Sequence, residues 1–512
     1  MTDRDLATRV REALDVDAGT FQTRVDEAVD AVVAAADDGV FDNPQAIVGL
    51  EYEFYGVDRE TTALARVPRR LLEFIGFEAE LGLHNAEMST SPQPLNAEGL
   101  RAQEAEVLAR LRTAQDCSAA EGLVLVSDGM WTIPPVGESA RSYLTDSVDV
   151  DGVRVATNMS ESARYHAMSN LPGHASPGMR IDAPNVTLAA DTVLPESLIT
   201  SIQPHYQVPQ ATDLPRYFRY AVRIAGPLLA LGVNAPLFPP DCYDDVAPER
   251  ILAEARDEER IFVFESVLNP ADGDRKVRFP RDVGSVREAV ERIASDDVVV
   301  PMPLPETDRY DDEFAALRVK HGTFWRWVRP VFEGATRSSA NARIEFRPIP
   351  GQPSVRDAVA FQALFAGLLE SLPRLHHPVT DMDWETAREN FYAAARDGLD
   401  ADLTWITNDG QVVTDRERVF ADVFAHAEDG LAARGLDDEE VATYLWPLRK
   451  RARHGFTPAD WKRRRVREHL DEGTGFADAV AGMQREYVER QREVLLDGSF
   501  ADWIDEDNYL GR

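Results

Sequence analysis

The sequence "VGLEYEFYGVD", Val48 to Asp58, carries two glutamates two residues apart in an otherwise apolar and aromatic run. This alternation is typical of a β-strand, in which residues i and i+2 share a face. Glu51 and Glu53 are therefore expected to point the same way from one strand. Like charges on one face repel each other unless an opposite charge compensates them. The pattern predicts a strand and raises the question of what supplies that charge.

Polar side chains recur at alternate positions in three further segments. The four sets are Glu51 and Glu53 in the first segment, Glu87, Ser89 and Thr90 in "NAEMST", Gln203, His205 and Gln207 in "SIQPHYQ", and Arg343, Glu345 and Arg347 in "ARIEFRP". If the segments join one sheet, their carboxylates, imidazole and guanidiniums share one cleft. Hard divalent ions such as Mg²⁺ and Mn²⁺ prefer oxygen ligands with an occasional imidazole. The pattern favours a cleft in which a metal ion compensates the glutamates.

Each set also has a purely structural interpretation. A single Glu-x-Glu on a strand is usually a solvated face, a lone histidine is usually a hydrogen-bonded structural residue, and Arg-x-Glu-x-Arg is often a ladder of ion pairs. The local setting favours the metal site, because Glu51 and Glu345 lie in apolar or aromatic runs, where an unpaired charge is costly. No glycine-rich phosphate loop follows a predicted strand, so a nucleotide would bind by another route.

The charge balance limits the possible partners. The chain has 512 residues and a formal net charge of −34, so long-range repulsion disfavours nucleic acid as a ligand. Acidic residues are spread along the chain, and lysine occurs only at positions 276, 320, 450 and 462. We therefore expect a folded protein adapted to high salt, which screens the repulsion between its acidic groups.

The sequence predicts no export signal and no membrane partner. Membrane spans need about 18 or more apolar residues in a row, and no such run is present. The N-terminus "MTDRDLATRVREALDVDAG" is charged from its third residue and has no apolar core. The cysteines Cys117 and Cys242 form no disulfide framework or metal-binding pair. We expect a cytoplasmic protein, and the oligomeric state stays open.

The order of predicted elements indicates an α+β fold. Strands mix with helices, and the alternating polar residues indicate a curved, mainly antiparallel sheet with helices on one face and a cleft on the other. We expect an N-terminal helical segment 1–45, a catalytic domain 46–375 with an insertion at about 269–315, and an all-helical region 376–512 packed on that domain. The segment 130–185, rich in Gly, Pro, Ser and Asn, predicts a long loop system that lines some part of the protein that the sequence does not identify.

These segments resemble a known family. "GLEYEFYGVD" followed by "NAEMSTSPQPL" resembles the glutamate–cysteine ligase family, in the branch of bacterial carboxylate–amine ligases and plant-type enzymes. The resemblance continues from about residue 46 to 410, in the family's order, with "SIQPHYQV", "GPLLALGVNAPLF", "RIEFRPIPGQPSVRDAVAFQALFAGLL" and "ARENFYAAARDGLDADL". The insertion at 269–315 and the tail beyond 410 are less similar to the family.

The resemblance implies a glutamine-synthetase-like fold with Mg²⁺ (or Mn²⁺) and ATP on the concave face of its sheet. It implies ATP-dependent ligation of glutamate to an amine, with cysteine as the first candidate, through a γ-glutamyl phosphate, as in glutathione biosynthesis. The assigned residues are Glu51, Glu53, Glu87, His205 and Glu345 for metal; Arg347 and Glu53 for catalysis; Gln203, His205 and Arg260 for the nucleotide; and Arg164 and Arg180 for substrate carboxylates.

Several alternatives stay open. The amine could be one other than cysteine, because no unmistakable motif marks its pocket. A guanidino kinase of the same fold would need a reactive cysteine, and neither Cys117 nor Cys242 lies in a predicted site strand. A non-catalytic homologue is expected to lack some of the carboxylates, and a metal-dependent hydrolase to have more His and Asp ligands. Which of Gln203 and His205 contacts a metal ion is also open.

Overall fold

The computed structural model describes residues 3–171, 179–269, 275–297, 299–304 and 307–504. The strands in these ranges are β1 (Ile47–Asp58), β2 (Asn85–Ser89), β3 (Gln93–Pro94), β4 (Leu123–Val126), β5 (Ser147–Val150), β6 (Val153–Ala156), β7 (Met179–Ala183), β8 (Val186–Ala190), β9 (Ile202–Gln207), β10 (Val328–Glu333), β11 (Asn341–Phe346), β12 (Trp405–Ile406) and β13 (Val412–Val413).

The α-helices of the same ranges are α1 (Asp3–Leu14), α2 (Ala18–Asp37), α3 (Arg69–Ile75), α4 (Ala97–Ala120), α5 (Ala140–Thr145), α6 (Ala163–Met168), α7 (Leu214–Gly232), α8 (Pro248–Glu254), α9 (Glu259–Leu268), α10 (Val286–Ala294), α11 (Ala315–His321), α12 (Val355–Leu375), α13 (Trp384–Asp397), α14 (Arg416–Ala433), α15 (Asp438–His454), α16 (Pro458–Asp471) and α17 (Phe476–Val494).

A seven-stranded antiparallel sheet forms the centre of the fold. Its order is β10-β11-β9-β1-β2, and β3 and β4 also pair with β1. β1 aligns Glu53 with Glu87 of β2, and β11 aligns Glu345 with His205 of β9. Because residues directly opposite each other point to the same face, this register brings the polar sets of all four strands together. The predicted α+β fold with an antiparallel sheet is confirmed.

Helices cover the opposite face of this sheet. Phe365 of α12 stacks on Phe346 of β11 with ring centroids 4.6 Å apart. Gln362 of α12 donates a hydrogen bond to the carbonyl oxygen of His205 at 3.3 Å. α12 is long and apolar enough to cross a membrane, but 89% of its apolar window is buried inside the protein. It is therefore the helix that supports the sheet from behind.

The C-terminal helices pack against the chain that follows β4. Lys462 of α16 donates to the side chain of Asp128 and, at 2.7 Å, to the carbonyl oxygen of Asn234. Tyr487 of α17 donates from its hydroxyl to the carbonyl oxygen of Ser127 at 3.0 Å. All of these side chains are buried. The tail is thus joined to the central sheet by buried polar contacts.

The structure differs from the sequence prediction in three places. The predicted loop system at 130–185 contains the short helices α5 and α6 and the hairpins β5–β6 and β7–β8. The region beyond 376 is not all-helical, because β12 and β13 form a small hairpin. The edge strand β10 was not predicted from the sequence. It contains Pro330, which disfavours a strand prediction although prolines are tolerated on edge strands. Parts of the predicted segments lie outside the described residues, namely 172–178, 270–274, 298, 305–306 and 505–512.

Candidate active site

A cavity of about 360 Å³ opens on the polar face of the sheet. This volume is within the usual range of small-molecule sites. The charged and amide side chains that line it are Glu51, Glu53, Glu78, Glu80, Glu87, Glu196, Gln203, Arg329 and Arg347. The cavity is therefore strongly acidic, with two guanidiniums on one side.

Arg347 directly follows β11, and its side chain is hydrogen-bonded to Gln203 of β9. Its Nη1 donates to Gln203 Oε1 at 2.6 Å and to Glu345 Oε1 at 2.5 Å. Its Nε is buried and makes no hydrogen bond with the described residues. Burial alone would raise the pKa of Glu345, but the charges of Arg329, at 2.9 Å, and Arg347 hold that pKa well below its usual range. Glu345 is thus an ionised, fully paired carboxylate, whereas Arg347 keeps donor capacity beside the cavity.

His205 is fixed between Arg343 and Glu51. Its Nδ1 accepts a hydrogen bond from Arg343 Nε at 3.0 Å, so the proton of the neutral ring is on Nε2. Nε2 lies 3.4 Å from Glu51 Oε1. Burial would raise the pKa of Glu51, but His205 and Arg347 outweigh it and the pKa is lowered. In this arrangement the ring offers no lone pair to the cavity, so a metal ion at His205 would require different hydrogen bonds.

Glu53 is hydrogen-bonded and still lacks enough positive charge nearby. Ser201 N donates to its Oε2 at 2.6 Å, and Gln203 Nε2 donates to its Oε1 at 2.8 Å. Burial and the negative charge of Glu80 nevertheless raise the pKa of Glu53 to about 7. Both carboxylate oxygens of Glu53 therefore accept a hydrogen bond, and these bonds fix the position of the side chain.

Three neighbouring carboxyl groups show the same shortage of positive charge. Burial, followed by the charges of Glu80, Glu51 and Glu53, raises the pKa of Glu87 well above its usual range. Burial also raises the pKa of Glu80. Burial and the charges of Glu80 and Glu53 raise the pKa of Glu196 to about 8. Carboxyl groups that share a site disfavour one another's ionised form in this way.

This donor set fits a hard divalent cation. Carboxylate oxygens are the ligands that Mg²⁺ and Mn²⁺ take in proteins, and a bound cation would reverse the repulsion that raises these pKa values. The residues that could hold it are Glu53, Glu80 and Glu87, with Glu51 and Glu345 beside them but already paired with His205, Arg329 and Arg347. The question raised by Glu51 and Glu53 thus has two answers, since side chains compensate Glu51 and a cation would be needed at Glu53.

A second cavity, of about 310 Å³, adjoins the first along β1. Glu51 and Ser89 line both cavities, so the two are neighbouring parts of one polar face. Gly49 lies opposite His205 in the sheet and also lines the second cavity. Because glycine has no side chain, the wall of the second cavity recedes at this position.

Arg164 lies at the edge of the first cavity, where sequence analysis expects a substrate-binding arginine. It packs against Gly322, which lines that cavity. One terminal nitrogen (Nη2) donates to the carbonyl oxygen of Val319 at 2.6 Å, and its buried Nε makes no hydrogen bond with the residues that the structure describes. Its guanidinium could therefore still bind an anion.

The structure places Arg260 and Arg180 differently from the sequence expectation. Arg260 is buried, but its donors contact Glu258 Oε1 at 3.2 Å and the carbonyl oxygens of Arg347 and Pro348. It holds the chain after β11 and lines neither of these two cavities. Arg180 is exposed on β7, where it pairs with Asp182. Arg180 thus lies outside both cavities, whereas the charge of Arg260 still acts on Glu53 and Glu196.

Sequence reasoning missed four charged residues of the first cavity, namely Glu78, Glu80, Glu196 and Arg329. Glu80 belongs to the run "FEAELG", whose Glu-x-Glu pattern matches that of β1 and could have identified it. An antiparallel bridge between Glu78 and Glu87 places this run beside β2. Glu196 lies in the 3-10 helix Leu194–Leu198, where no periodic pattern marks it. Arg329 was missed together with its strand β10.

Comparison with known proteins gives first a class and then a family. The fold is that of a known ligase, and together with the family match below it makes this protein an ATP-dependent ligase that forms an amide bond. The family model described as glutamate-cysteine ligase family 2 matches residues 47–493, so the chain belongs to that family. The resemblance seen in the sequence is thereby confirmed.

One solved structure supports the same fold at low sequence identity, and two others are similar to the chain more weakly. The glutamate–cysteine ligase of Francisella tularensis, solved in complex with AMP, is 13% identical, with 91% of this chain and 93% of that chain covered and a TM-score of 0.50. A bifunctional glutathione synthetase from Pasteurella multocida is 13% identical, with 88% of this chain and 53% of that chain covered and a TM-score of 0.49. The Pup ligase PafA, solved in complex with Pup, is 12% identical, with 85% of this chain and 71% of that chain covered and a TM-score of 0.39. No curated protein sequence matches the chain.

Proposed function

We propose that this enzyme joins glutamate to an amine, with cysteine as the first candidate, through a γ-glutamyl phosphate. The observation that carries the proposal is the group of carboxyls with raised pKa, the partly buried Glu53 and Glu80 and the buried Glu87, which share one cavity with Arg347. Such a group suits divalent cations that bind phosphates, and a guanidinium beside it suits a transferring phosphoryl group. Membership of glutamate-cysteine ligase family 2 supports glutamate as the carboxylate substrate.

Mg²⁺ bound at these carboxylates would neutralise and align the phosphates of ATP. Glu53, Glu80 and Glu87 are the proposed ligands, and Glu51 and Glu345 complete the acidic face. His205 holds Glu51 in place rather than binding the metal ion itself, because its Nδ1 is occupied by Arg343. Gln203 orients Glu53 through the hydrogen bond at 2.8 Å.

Arg347 is the proposed group for the transferring phosphoryl. Its bonds to Gln203 and Glu345 fix the guanidinium on the sheet, and its Nε makes no hydrogen bond with the described residues. A fixed donor of this kind acts mainly on charge that develops in the transition state. Arg329 keeps Glu345 paired, which leaves the orientation of Arg347 unchanged when ligands enter.

The two cavities suggest separate places for nucleotide and amino acids. The second cavity has apolar walls from Ile47, Leu50 and Pro92 and space at Gly49, which suits a nucleotide base. AMP in the Francisella tularensis enzyme supports a nucleotide site in this fold. Arg164, whose guanidinium packs against Gly322 in the wall of the first cavity, is the proposed contact for a substrate carboxylate.

A guanidino kinase is less well supported. Burial and the charge of Asp241 raise the pKa of the Cys242 thiol to about 12, so it is not a reactive thiolate at neutral pH. Cys117 is partly buried and lines neither of the two cavities. The described cysteines therefore do not provide the residue that this alternative needs.

The test is ligation itself. The protein is incubated in molar KCl with ATP, Mg²⁺, glutamate and one amine at a time, including cysteine, 2-aminobutyrate, alanine and ammonia. ADP release and product mass are then measured. We expect ADP release that requires both glutamate and an amine, and a product of the mass of a γ-glutamyl amide. ADP release that is independent of glutamate with every amine would reject the proposal, and the Glu53→Gln variant controls for contaminating ATPases.

A further inference from the structure

A third cavity, of about 540 Å³, has arginine as the most frequent residue in its lining. Its charged lining residues are six arginines and two aspartates, namely Arg275, Arg278, Arg281, Arg292, Arg326, Arg388, Asp296 and Asp297. The chain as a whole has 89 acidic and only 55 basic residues. A cavity with this excess of positive charge is therefore the opposite of what the composition alone would produce.

The arginine cavity is separated from the candidate active site by the sheet. In β10, Arg329 and Glu333 lie opposite Glu345 and Asn341 of β11, on the polar face. The alternate residues Val328 and Pro330 line the arginine cavity. Since successive residues of a strand point to opposite faces, this cavity lies behind the edge strand, and its ligand would not be the one held by the carboxylates.

Three of the arginines form no direct ion pair with a carboxylate of the described residues, although the charge of Arg388 acts on Glu265. Arg278, Arg281 and Arg388 make no side-chain hydrogen bond or ion pair with the residues that the structure describes. Arg326, in contrast, is held by Asp296 at 2.6 Å. Like charges placed close together repel each other, so an unpaired group in a chain this acidic indicates a site for an external anion.

Aromatic rings orient these guanidiniums. Arg281 lies over the ring of Trp384 at 4.0 Å, and Arg388 lies over the ring of Tyr392 at 4.9 Å. A guanidinium stacked on an aromatic face keeps its N–H donors in its own plane, where they can form two parallel hydrogen bonds to phosphate oxygens. The rings thus hold the arginines without using their donors.

We infer that this cavity binds a small phosphate-bearing anion, such as a free polyphosphate or a nucleoside diphosphate. The two share the same phosphate chemistry, and the volume of about 540 Å³ is large enough for either. Arg278, Arg281 and Arg388 bind the phosphates, and the partly exposed rings of Trp384 and Tyr392 flank a base where one is present. This site is independent of the proposed ligation.

The experiment separates the arginine cavity from the active site by removing metal. Binding of inorganic pyrophosphate and of ADP is measured by calorimetry in EDTA, at one fixed KCl concentration, without glutamate or amine. Without a cation the carboxylate cavity repels phosphates, so binding under these conditions reports the arginine cavity. A failure of ligation elsewhere would not change this result.

The variant R278Q/R281Q/R388Q should bind pyrophosphate at least about tenfold more weakly, because each charge-assisted hydrogen bond contributes substantially. The control R69Q/R70Q/R250Q has the same change in net charge at exposed ion pairs and should bind like the wild type. If the triple variant does not fold, the single variants should each weaken binding. Tighter binding of ADP than of pyrophosphate would assign a base to the aromatic wall, and equal binding would assign phosphate alone. No binding by the wild type, or equal losses in variant and control, would overturn the inference.

Discussion

Two groups of buried charges in this protein are arranged in opposite ways. At the C-terminal helices, Lys462 pairs with Asp128 and Arg451 pairs with Asp357 at 2.8 Å, with all four side chains buried. On the polar face of the sheet, carboxyls face each other, and burial raises the pKa of Glu53 to about 7. Charges that are matched inside the protein hold its parts together. Charges that are left unmatched identify the place where a charged ligand belongs.

The first prediction breaks a matched pair. Lys462→Met leaves Asp128 buried without its cation, and we expect the unfolding free energy to fall by about 3–5 kcal/mol, as for other buried pairs that lose one partner. Denaturant unfolding followed by circular dichroism measures this. The double variant with Asp128→Asn should recover part of the loss, and Arg250→Gln, which breaks an exposed pair with Glu254, should cost less than about 1 kcal/mol. An equal effect of Lys462→Met and Arg250→Gln would contradict the distinction.

The second prediction removes the guanidinium of Arg347 from the polar face of the sheet, where the carboxyls are not fully compensated. Arg347→Ala should lower turnover on the order of 10²-fold, as loss of other transition-state donors does, with only a modest change in nucleotide affinity. Lysine should restore little activity, because a point charge does not reproduce the two-pronged donor. Turnover, nucleotide affinity and melting temperature are measured on the same variant. A lower melting temperature with normal turnover would reject the catalytic role, and Arg180→Ala, at an exposed position, should leave turnover unchanged.

The third prediction uses the raised pKa values of Glu53, about 7, and Glu196, about 8. Between the ordinary glutamate pKa and these values, the folded metal-free protein holds more protons than the unfolded chain. The stabilising contribution is therefore complete below the ordinary pKa and is lost as the pH rises through about 8. We expect the unfolding free energy to fall between pH 5 and pH 8 by on the order of 1 kcal/mol per unit for each group.

The matched variants for this titration are Glu196→Gln and Glu249→Gln, the latter at an exposed site on α8. Unfolding free energies are measured in EDTA across the pH series. Only Glu196→Gln should make the slope shallower, and added Mg²⁺ should also reduce it in the wild type. A slope that both variants share with the wild type would show that the surface, not the cavity, causes it.

The fourth prediction concerns salt and has the smallest expected difference. The net charge of −34 should make the melting temperature rise from dilute buffer to molar KCl, because salt screens exposed charges. Buried pairs are screened much less, so the rise should be the same for the wild type and Lys462→Met. A melting temperature that does not respond to KCl would reject surface repulsion as a source of instability. Unequal rises in the two proteins would show that salt does screen the pair of Lys462 and Asp128.

Local patterns explain which parts of this fold could be predicted. β1 follows a strict alternation, and the strand predicted around Glu51 and Glu53 is present as Ile47–Asp58. The four polar sets share one sheet because each set has the two-residue period that a strand requires. β10 escaped prediction because Pro330 interrupts its pattern and no local signal marks an edge strand.

The candidate site was less predictable because charge pairing is a property of the folded chain. Arg180 and Arg347 are alike in sequence terms, yet one is exposed beside Asp182 and the other is largely buried between Gln203 and Glu345. Glu196 enters the cavity through a 3-10 helix, which has no strand period. Only the register and the packing distinguish a free donor from one already occupied.

The long separation between β1 and β9 has a consequence for synthesis of the chain. Glu53 and its hydrogen-bond partner Gln203 are 150 residues apart, and at about 5–20 residues per second a ribosome needs on the order of 10 s to produce the second strand. During that interval the edge of β1 that pairs with β9 is open, although β2, β3 and β4 are already available to its other positions, and an open edge is prone to self-association. Glu51 and Glu53 are the charges that interrupt the apolar run of β1. The carboxylates that face the cavity in the finished enzyme therefore also protect the nascent strand from aggregation.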